Sequence, residues 1–322
     1  MKIIAFFNNK GGVGKTTLVY HLAWMMSELG KTVVVADLDP QANLSSMFLS
    51  NDVLAQKIED KNSIIEALSP RMKGVSDIKD VHLERIDNNL YLIIGDLILS
   101  TFEDKLSRAW TDCLNKDEGA FLSTTAFYRI LLKAAEKVAA DIILIDVGPN
   151  LGAINRTALI AADEIIVPVA ADLFSIQGMS NLGRTLKNWQ EEWEDIKKRN
   201  PTDLKLPEGK TNRLGYILSQ HGMRDKRPVQ AYLKWAKRIP IVFREDVLGL
   251  DADESKDIKI ESDEYCLGLL KHYQSLMPMA MEANKPIFKL KPGDGAIGAH
   301  FNSVKKVYED FEKIAKAILD KL

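Results

Sequence analysis

Short apolar segments without polar alternation recur along the chain and are rich in β-branched residues. Continuous apolar segments of this length predict strands that are covered on both faces, as in a parallel sheet. Helical periodicity occupies the segments between them, at residues 16–29, 124–139 and 179–193. The alternation predicts an α/β fold with a doubly wound, mostly parallel sheet flanked by helices. The apolar segments are residues 3–7, 32–36, 90–94, 142–145, 164–169 and 214–218.

The last segment, residues 303–322, has the pattern of an amphipathic helix. Its apolar side holds Val304, Val307, Phe311, Ile314, Ala315 and Ile318. Three polar or charged stretches interrupt the strand–helix rhythm, around residues 51–89, 189–213 and 245–275. Since none is long and apolar enough to form its own core, we expect a single domain over residues 1–322 with solvated insertions.

Composition narrows the class of protein. Hydrophobic residues make up 46% of the chain and charged residues 27%, which is typical of a globular protein. The two cysteines, Cys113 and Cys266, lie far apart and in no metal-binding spacing, as expected in a reducing cytoplasm. No apolar segment reaches membrane-spanning length. The net charge of −2 means that any contact with nucleic acid depends on a local basic patch.

A glycine-rich segment follows the first predicted strand and precedes a helical pattern. Glycines allow backbone N–H groups to point at phosphate oxygens, and the following helix offers its positive N-terminal end. In such a loop Lys15 neutralises the β- and γ-phosphates, and the hydroxyl of Thr16 ligates Mg²⁺. Asn9 occupies the position of the first glycine in the general pattern. The segment predicts a site for ATP and Mg²⁺ built from Gly11, Gly12, Val13, Gly14, Lys15, Thr16 and Thr17.

This segment resembles the phosphate loop of the deviant Walker A ATPases, and among them the ParA/Soj partition ATPases, which are related to MinD. The family loop reads KGGVGKTT, and residues 10–17 carry it unaltered. The resemblance implies a P-loop NTPase fold, weak ATP hydrolysis stimulated by a ParB-like or other adaptor protein, and an ATP-dependent homodimer. In the family, the lysine that corresponds to Lys10 contacts the ATP of the partner subunit.

A second match follows the second predicted strand. Residues 37–43 read DLDPQAN and resemble the family's D-x-D-P-Q-G-N, with Ala42 in place of the glycine. The resemblance implies that Asp37 lies near Mg²⁺ and that Asp39 orients the attacking water. Lys10, Lys15 and Asp39 are therefore the implied catalytic residues.

A third match is residues 141–152, which resemble the family's Walker B segment, D-x-x-x-x-D-x-P-P-S-L-G. Its second aspartate, Asp146, is implied to bind Mg²⁺ through water, which gives Thr16, Asp37 and Asp146 as the metal site. Gly148 and Asn150 replace the family's proline and serine. Residues 165–178 resemble a further family segment and place Asp172 at its acidic position.

Two weaker matches concern DNA. Residues 223–227 hold the family's D-x-R pattern, and residues 239–244 resemble I-P-R-N-V-R with its second arginine retained. The resemblance implies that Arg227 and Arg244 contact nonspecific DNA in the ATP state. We therefore expect a cytoplasmic, nucleoid-associated switch that positions a plasmid, chromosome or other cargo.

Other functions stay open at this point. A MinD-like membrane cycle would use the C-terminal helix, although its lysines alternate with acids and its periodicity is typical of a core-packing helix. An ATP-gated adaptor for a specific protein would use the polar insertions and no DNA. Electron transfer like that of the nitrogenase iron protein would need paired thiolates, and neither cysteine lies in a matching motif.

Overall fold

The computed structural model describes residues 1–220, 228–251, 258–271, 273 and 276–322. Its fold is an eight-stranded, mostly parallel sheet flanked by helices, in the strand order β3-β4-β2-β5-β1-β6-β7-β8. The pairs β1–β5, β2–β4, β2–β5 and β7–β8 are parallel, whereas β3 runs antiparallel to β4. The predicted α/β class is confirmed.

The strands are β1 Lys2–Phe6, β2 Val33–Asp37, β3 Glu84–Asp87, β4 Leu90–Ile93, β5 Ile142–Asp146, β6 Glu164–Ala170, β7 Asn212–Gln220 and β8 Cys266–Lys271. The α-helices are α1 Lys15–Glu28, α2 Asn43–Phe48, α3 Asn51–Glu59, α4 Ile64–Lys73, α5 Glu103–Asp112, α6 Glu118–Thr124, α7 Ala126–Val138, α8 Ala153–Ala161, α9 Leu173–Lys197, α10 Pro228–Ala236, α11 Ile239–Val242, α12 Leu276–Glu282 and α13 Ala299–Leu319. None of the helices in the described part of the chain is both long and apolar enough to span a membrane.

The chain divides into two compact units. Unit 1 comprises Met1–Phe6, Met26–Ile165 and Lys187–Asn212. Its core is formed by β2 and β5, in which every residue is buried, together with β1 and β4. The parallel register pairs Asp37 with Asp146, so the carboxyl ends of β2 and β5 coincide.

Unit 2 comprises Phe7–Met25, Ile166–Leu186 and Arg213–Leu322. Helix α13 packs on β8, and the six apolar residues predicted for its inner side are all buried. A Cβ built on Gly268 of β8 would lie 2.3 Å from Cγ1 of Ile314, so glycine is required for this close approach. The amphipathic C-terminal helix is thus a core element of unit 2.

A buried histidine connects α1 with the C-terminal part of unit 2. His21 donates a hydrogen bond from Nδ1 to the carbonyl oxygen of Thr17 at 2.7 Å, and its Nε2 accepts from the N–H of Ile287 at 3.2 Å. The ring stacks on Phe311 with 4.8 Å between centroids. Burial lowers the pKa of His21 to about 4, against the opposing hydrogen bond with Thr17, so the ring is neutral at pH 7.

The stretches expected as insertions contain regular structure. Residues 51–89 form α3, α4 and the edge strand β3, and residues 189–197 continue α9. Residues 245–275 include β8, which lies at the other end of the strand order from β3 and follows an acidic segment of the sequence. The single-domain organisation stays a prediction.

Candidate functional site

The glycine-rich loop lies in unit 2, between β1 and the first residue of α1, Lys15. Gly12 and Gly14 have φ angles of 75° and 82°, in the left-handed region that glycine adopts at low cost. A Cβ built on Gly11, Gly12 or Gly14 would meet no heavy atom of the described residues within 4 Å. The space beside these glycines is therefore open, and the backbone N–H groups of such a loop and the N-terminus of α1 suit an anion.

An asparagine that carries no role in the sequence motif anchors this loop. Asn8 is buried, and its Nδ2 donates to the carbonyl oxygen of Pro168 at 2.7 Å, while its Oδ1 accepts from the N–H of Lys10 at 2.9 Å. Gly178 on α9 leaves room for the loop, because a Cβ there would lie 2.4 Å from Oδ1 of Asn9. These contacts explain why residue 8 is asparagine and why residue 178 is glycine.

The two lysines of the loop have different surroundings. Lys15 is buried, with 8% of its surface exposed, at the start of α1. Lys10 is partly exposed and forms an ion pair with Asp172, 2.5 Å between Nζ and Oδ2. Partial burial favours a raised pKa of Asp172, but hydrogen bonds from Lys10 and from the N–H of Ser175 outweigh it and lower the pKa. Lys10 is thus held by a carboxylate of its own subunit.

A cavity of about 180 Å³ adjoins the loop within unit 2. Its walls include Gly12, Gly14 and Thr17 from the loop and the side chains of Leu270 and Tyr273. The Tyr273 hydroxyl donates to Asp310 at 2.8 Å, which fixes the ring. A mostly apolar cavity beside a phosphate loop has the character of a nucleoside pocket.

Unit 1 holds the predicted metal-binding carboxylates at the carboxyl ends of β2 and β5. Asp37 and Asp146 are register partners, and both are fully buried. Oδ2 of Asp37 accepts hydrogen bonds from the N–H and the hydroxyl of Ser45, both at 2.7 Å. Its buried Oδ1 has no hydrogen-bond partner among the described residues.

Burial raises the pKa of Asp37 to about 7, against the hydrogen bonds from Ser45. A buried carboxylate with one vacant oxygen is a suitable ligand for a divalent cation, because the cation offsets the cost of the buried charge. The donor set of Asp37 and Asp146 therefore fits Mg²⁺, which prefers carboxylate oxygens and water.

Asp39 lies just after β2 and is almost fully buried. Its Oδ1 accepts from the N–H of Gln41 at 3.0 Å, and a Cβ built on Gly148 would lie 3.3 Å from the same oxygen. Ala42 follows in the left-handed conformation, with φ of 51° and ψ of 31°. This conformation explains why related sequences have glycine at this position.

Two residues that sequence reasoning missed hold the segment after Asp146. Asn155 on α8 is buried, and its amide nitrogen donates to the carbonyl oxygens of Gly148 at 2.8 Å and Asn150 at 2.6 Å. Glu103 on α5 accepts from the N–H groups of Ala153 and Ile154 and thereby caps the N-terminus of α8. Neither residue lies in a recognised motif, so nothing in the sequence signalled them.

Two arginines, Arg227 and Arg244, are the predicted DNA contacts. Arg227 lies outside the described residues. Arg244 is 6% exposed and pairs with Asp263 at 2.7 Å, with its guanidinium 4.9 Å from the ring centroid of Tyr265. A phosphate contact needs an accessible guanidinium, so the placement of Arg244 argues against that predicted role.

An open glycine loop before the first helix, followed by buried aspartates at the ends of two parallel strands, defines a P-loop ATPase. The family model described as AAA domain (AAA_31) matches residues 1–199, so the chain belongs to this family. Within it, the chain is of the ParA/Soj type.

Known proteins similar to this chain include a Soj protein, and two solved structures share its fold. The sporulation initiation inhibitor protein Soj of Bacillus subtilis is 29% identical over 188 residues, which cover 58% of this chain and 65% of that protein. A putative plasmid partition protein of Borrelia burgdorferi, solved with AMPPNP, has the same fold (TM-score 0.59, 21% identity, 100% of this chain and 99% of that chain). Cobyrinic acid a,c-diamide synthase of Mycobacterium smegmatis, solved with ADP and magnesium, is 25% identical with a TM-score of 0.53, covering 75% of this chain and 84% of that chain.

The match covers less than two thirds of the Soj protein, and only 46% of a putative replication protein A from Rhizobium rhizogenes. The family assignment therefore rests on the ATPase region.

Proposed function

We propose that this chain is a weak, partner-stimulated ATPase that forms a homodimer with ATP and, in that state, binds nonspecific DNA to position a plasmid, chromosome or other cargo. The observation that carries the proposal is the open loop at residues 10–17, with its buried Lys15 and its surface lysine, Lys10. One lysine suits its own subunit's phosphates, and the other is accessible to a second subunit. The ParA/Soj family supports the same division of roles.

The proposed chemistry is positioning and charge neutralisation rather than covalent catalysis. Lys15 and the loop N–H groups bind the β- and γ-phosphates, and Thr16, Asp37 and Asp146 hold Mg²⁺. When bound, Mg²⁺ neutralises phosphate charge. Asp39 orients the attacking water, and Lys10 contacts the nucleotide of the partner subunit. Loss of the γ-phosphate removes the counter-charge for Lys10, so hydrolysis favours the monomer.

Sedimentation velocity with ATP and with ADP tests the switch. We expect wild-type protein to dimerise with ATP only, Lys15→Ala to lose ATP binding, and Lys10→Ala to bind ATP as a monomer. Asp39→Ala should retain ATP and accumulate as a dimer. Lys313→Ala, an exposed lysine on α13, is the matched control. Identical monomeric behaviour of wild type and all variants with ATP would refute the switch.

DNA binding is tested by a gel shift with nonspecific duplex, with and without ATP. Exposed basic side chains near the end of α10, Lys234, Lys237 and Arg238, are accessible to phosphates. We expect a shift that requires ATP, weakens steeply with salt, and is lost when these three residues and Arg227 are changed to glutamate. Lys313→Glu should shift as wild type does.

A second candidate is an ATP-gated adaptor that grips a protein partner and does not use DNA. The buried ion pair of Arg244 favours this candidate, because it removes one of the two arginines that suggested DNA binding. Absence of any shift at low salt, in a protein that still dimerises with ATP, would select the adaptor.

A further inference from the structure

The segment after β5 departs from its family pattern at two positions, and unit 1 shows what supports it instead. Gly148 and Asn150 occupy the places of a proline and a serine, so the backbone here lacks the rigidity of a proline pair. The single amide nitrogen of Asn155 donates to the carbonyl oxygens of both residues, at 2.8 Å and 2.6 Å. One buried side chain therefore fixes the segment at two points.

The fixed segment adjoins the carboxylate of Asp39. A Cβ on Gly148 would lie 3.5 Å from Cγ of Asp39, at ordinary van der Waals distance, and 3.3 Å from Oδ1, which is tighter than most real Cβ contacts. Gly148 therefore lies beside Asp39, with space for little more than its own hydrogen on that side, so a displacement of Gly148 changes the space available to that carboxylate. The carbonyl oxygen that Asn155 holds belongs to Gly148 itself.

Other contacts hold the end of the segment that lies farther along the chain, at Asn150 and Gly152. Oδ1 of Asn150 accepts from the N–H of Gly152 at 2.9 Å, and a Cβ on Gly152 would lie 2.5 Å from Oε1 of Glu103. The end of the segment at Gly152 is thus held by Glu103, which caps the next helix, while Asn155 also contacts Asn150. Among the described residues, Asn155 holds the other end of the segment, at Gly148 beside Asp39.

We propose that Asn155 is a positioning residue for ATP hydrolysis, which holds Gly148 in place beside Asp39 and so preserves the space in which the Asp39 carboxylate directs the attacking water. This inference rests on the proposed role of Asp39 in hydrolysis. Asn155 does not touch the phosphates in this scheme, so it acts on turnover rather than on ATP affinity. A displacement of a catalytic group by about 1 Å can reduce turnover by about 100-fold.

The test compares Asn155→Ala with Thr157→Val in the full chain. Thr157 is equally buried on the same helix, but its hydroxyl donates to carbonyl oxygens within α8. We expect Asn155→Ala to lower kcat about 10- to 100-fold with KM for ATP and the ATP-dependent dimer unchanged. Thr157→Val should lose stability in a urea titration without a comparable loss of kcat, and Asn155→Gln should not restore the rate because its longer side chain misplaces the amide.

A double-mutant comparison distinguishes positioning from general damage. If Asn155 acts through Asp39, Asn155→Ala should have no further effect on kcat in the Asp39→Ala background. An equal loss of kcat in both backgrounds, or a loss of ATP affinity that matches the loss of rate, would overturn the inference while leaving the ATPase assignment intact. A wild-type protein without ATPase activity at any ATP concentration would overturn both.

Discussion

The ammonium group of Lys10 lies 2.5 Å from Oδ2 of Asp172 in the same subunit. Lys10 is the lysine that the family resemblance assigns to a partner subunit's nucleotide. Lys10 can contact that nucleotide only after its ion pair with Asp172 breaks. The free energy of the ion pair therefore stabilises the monomer relative to the dimer. Both side chains are about one third exposed, which limits that free energy to about 0–1 kcal/mol for each pair.

Asp172→Asn should therefore promote the ATP-dependent dimer. Two pairs break when a dimer forms, so we expect the dimer Kd with ATP to fall by up to about 30-fold. The measurement is sedimentation equilibrium at saturating ATP, at low and at high salt. Asp172→Glu retains the charge and serves as the control. A dimer Kd that rises in Asp172→Asn would show that Asp172 supports the dimer instead.

His21 should make stability fall in mild acid. Its pKa is about 4 in the folded protein and about 6.5 when unfolded, so between these values the unfolded state binds more protons. The free energy of unfolding should then decrease as pH falls from 6.5 to 4, by about 3 kcal/mol from this group. Urea titrations of wild type and His21→Gln across this range measure the effect. The variant, although less stable at pH 7, should lack that slope, and an equal slope in both proteins would contradict the assignment.

Asp37 should act in the opposite direction in the nucleotide-free protein. Its pKa is raised from 3.8 to about 7, so the folded state binds more protons and stability falls as pH rises through this window. Asp37→Asn removes a buried charge that costs up to about 4 kcal/mol above pH 7, and introduces an unpaired amide that costs about 1–3 kcal/mol.

We therefore expect Asp37→Asn to be about 1–3 kcal/mol more stable than wild type at pH 8, but to gain no further stability from Mg²⁺ with ATP. Thermal unfolding with and without Mg-ATP measures both effects. Asp52→Asn, an exposed change on α3, should leave both values as in wild type. Greater stabilisation of Asp37→Asn than of wild type by Mg-ATP would remove Asp37 from the metal site.

Arg244→Ala should destabilise the fold rather than act on DNA directly. The change leaves the carboxylate of Asp263 buried with two donors among the described residues, the Tyr216 hydroxyl and the Tyr265 N–H, which typically costs about 3–5 kcal/mol. Urea unfolding of Arg244→Ala beside Lys234→Ala checks this, since the exposed lysine should change stability by less than about 0.5 kcal/mol. A stable Arg244→Ala protein that fails to bind DNA would restore Arg244 as a DNA contact.

The sequence by itself determined the features that depend on local chemistry. Six continuous apolar segments became strands with bounds shifted by no more than two residues, because a strand covered on both faces requires apolar residues at every position. The phosphate loop was also predictable from the sequence. Its backbone is left-handed at Gly12 and Gly14, which favours glycine, so the motif is contained in a few neighbouring residues. The C-terminal helix was predicted from its 3.6-residue periodicity.

Local pattern was insufficient where a partner distant in the chain decides the structure. Strand β3 was not predicted because an edge strand tolerates charged residues. Strand β8 was not predicted because Gly268, which allows close packing on Ile314, weakens the strand pattern of its sequence. Arg244 looks like a surface arginine in sequence, yet the fold brings Asp263 to its guanidinium.

The tertiary structure alone decided which polar side chains support the site. Asn8 reaches Pro168, Glu103 reaches α8, and Lys10 reaches Asp172, across separations of 50 to 162 residues. A hydrogen bond of this kind depends on where two backbones meet, and that meeting is set by the packing of the whole sheet and its helices. No local pattern in the chain encodes it, because the same asparagine or glutamate on an exposed helix would make no such contact.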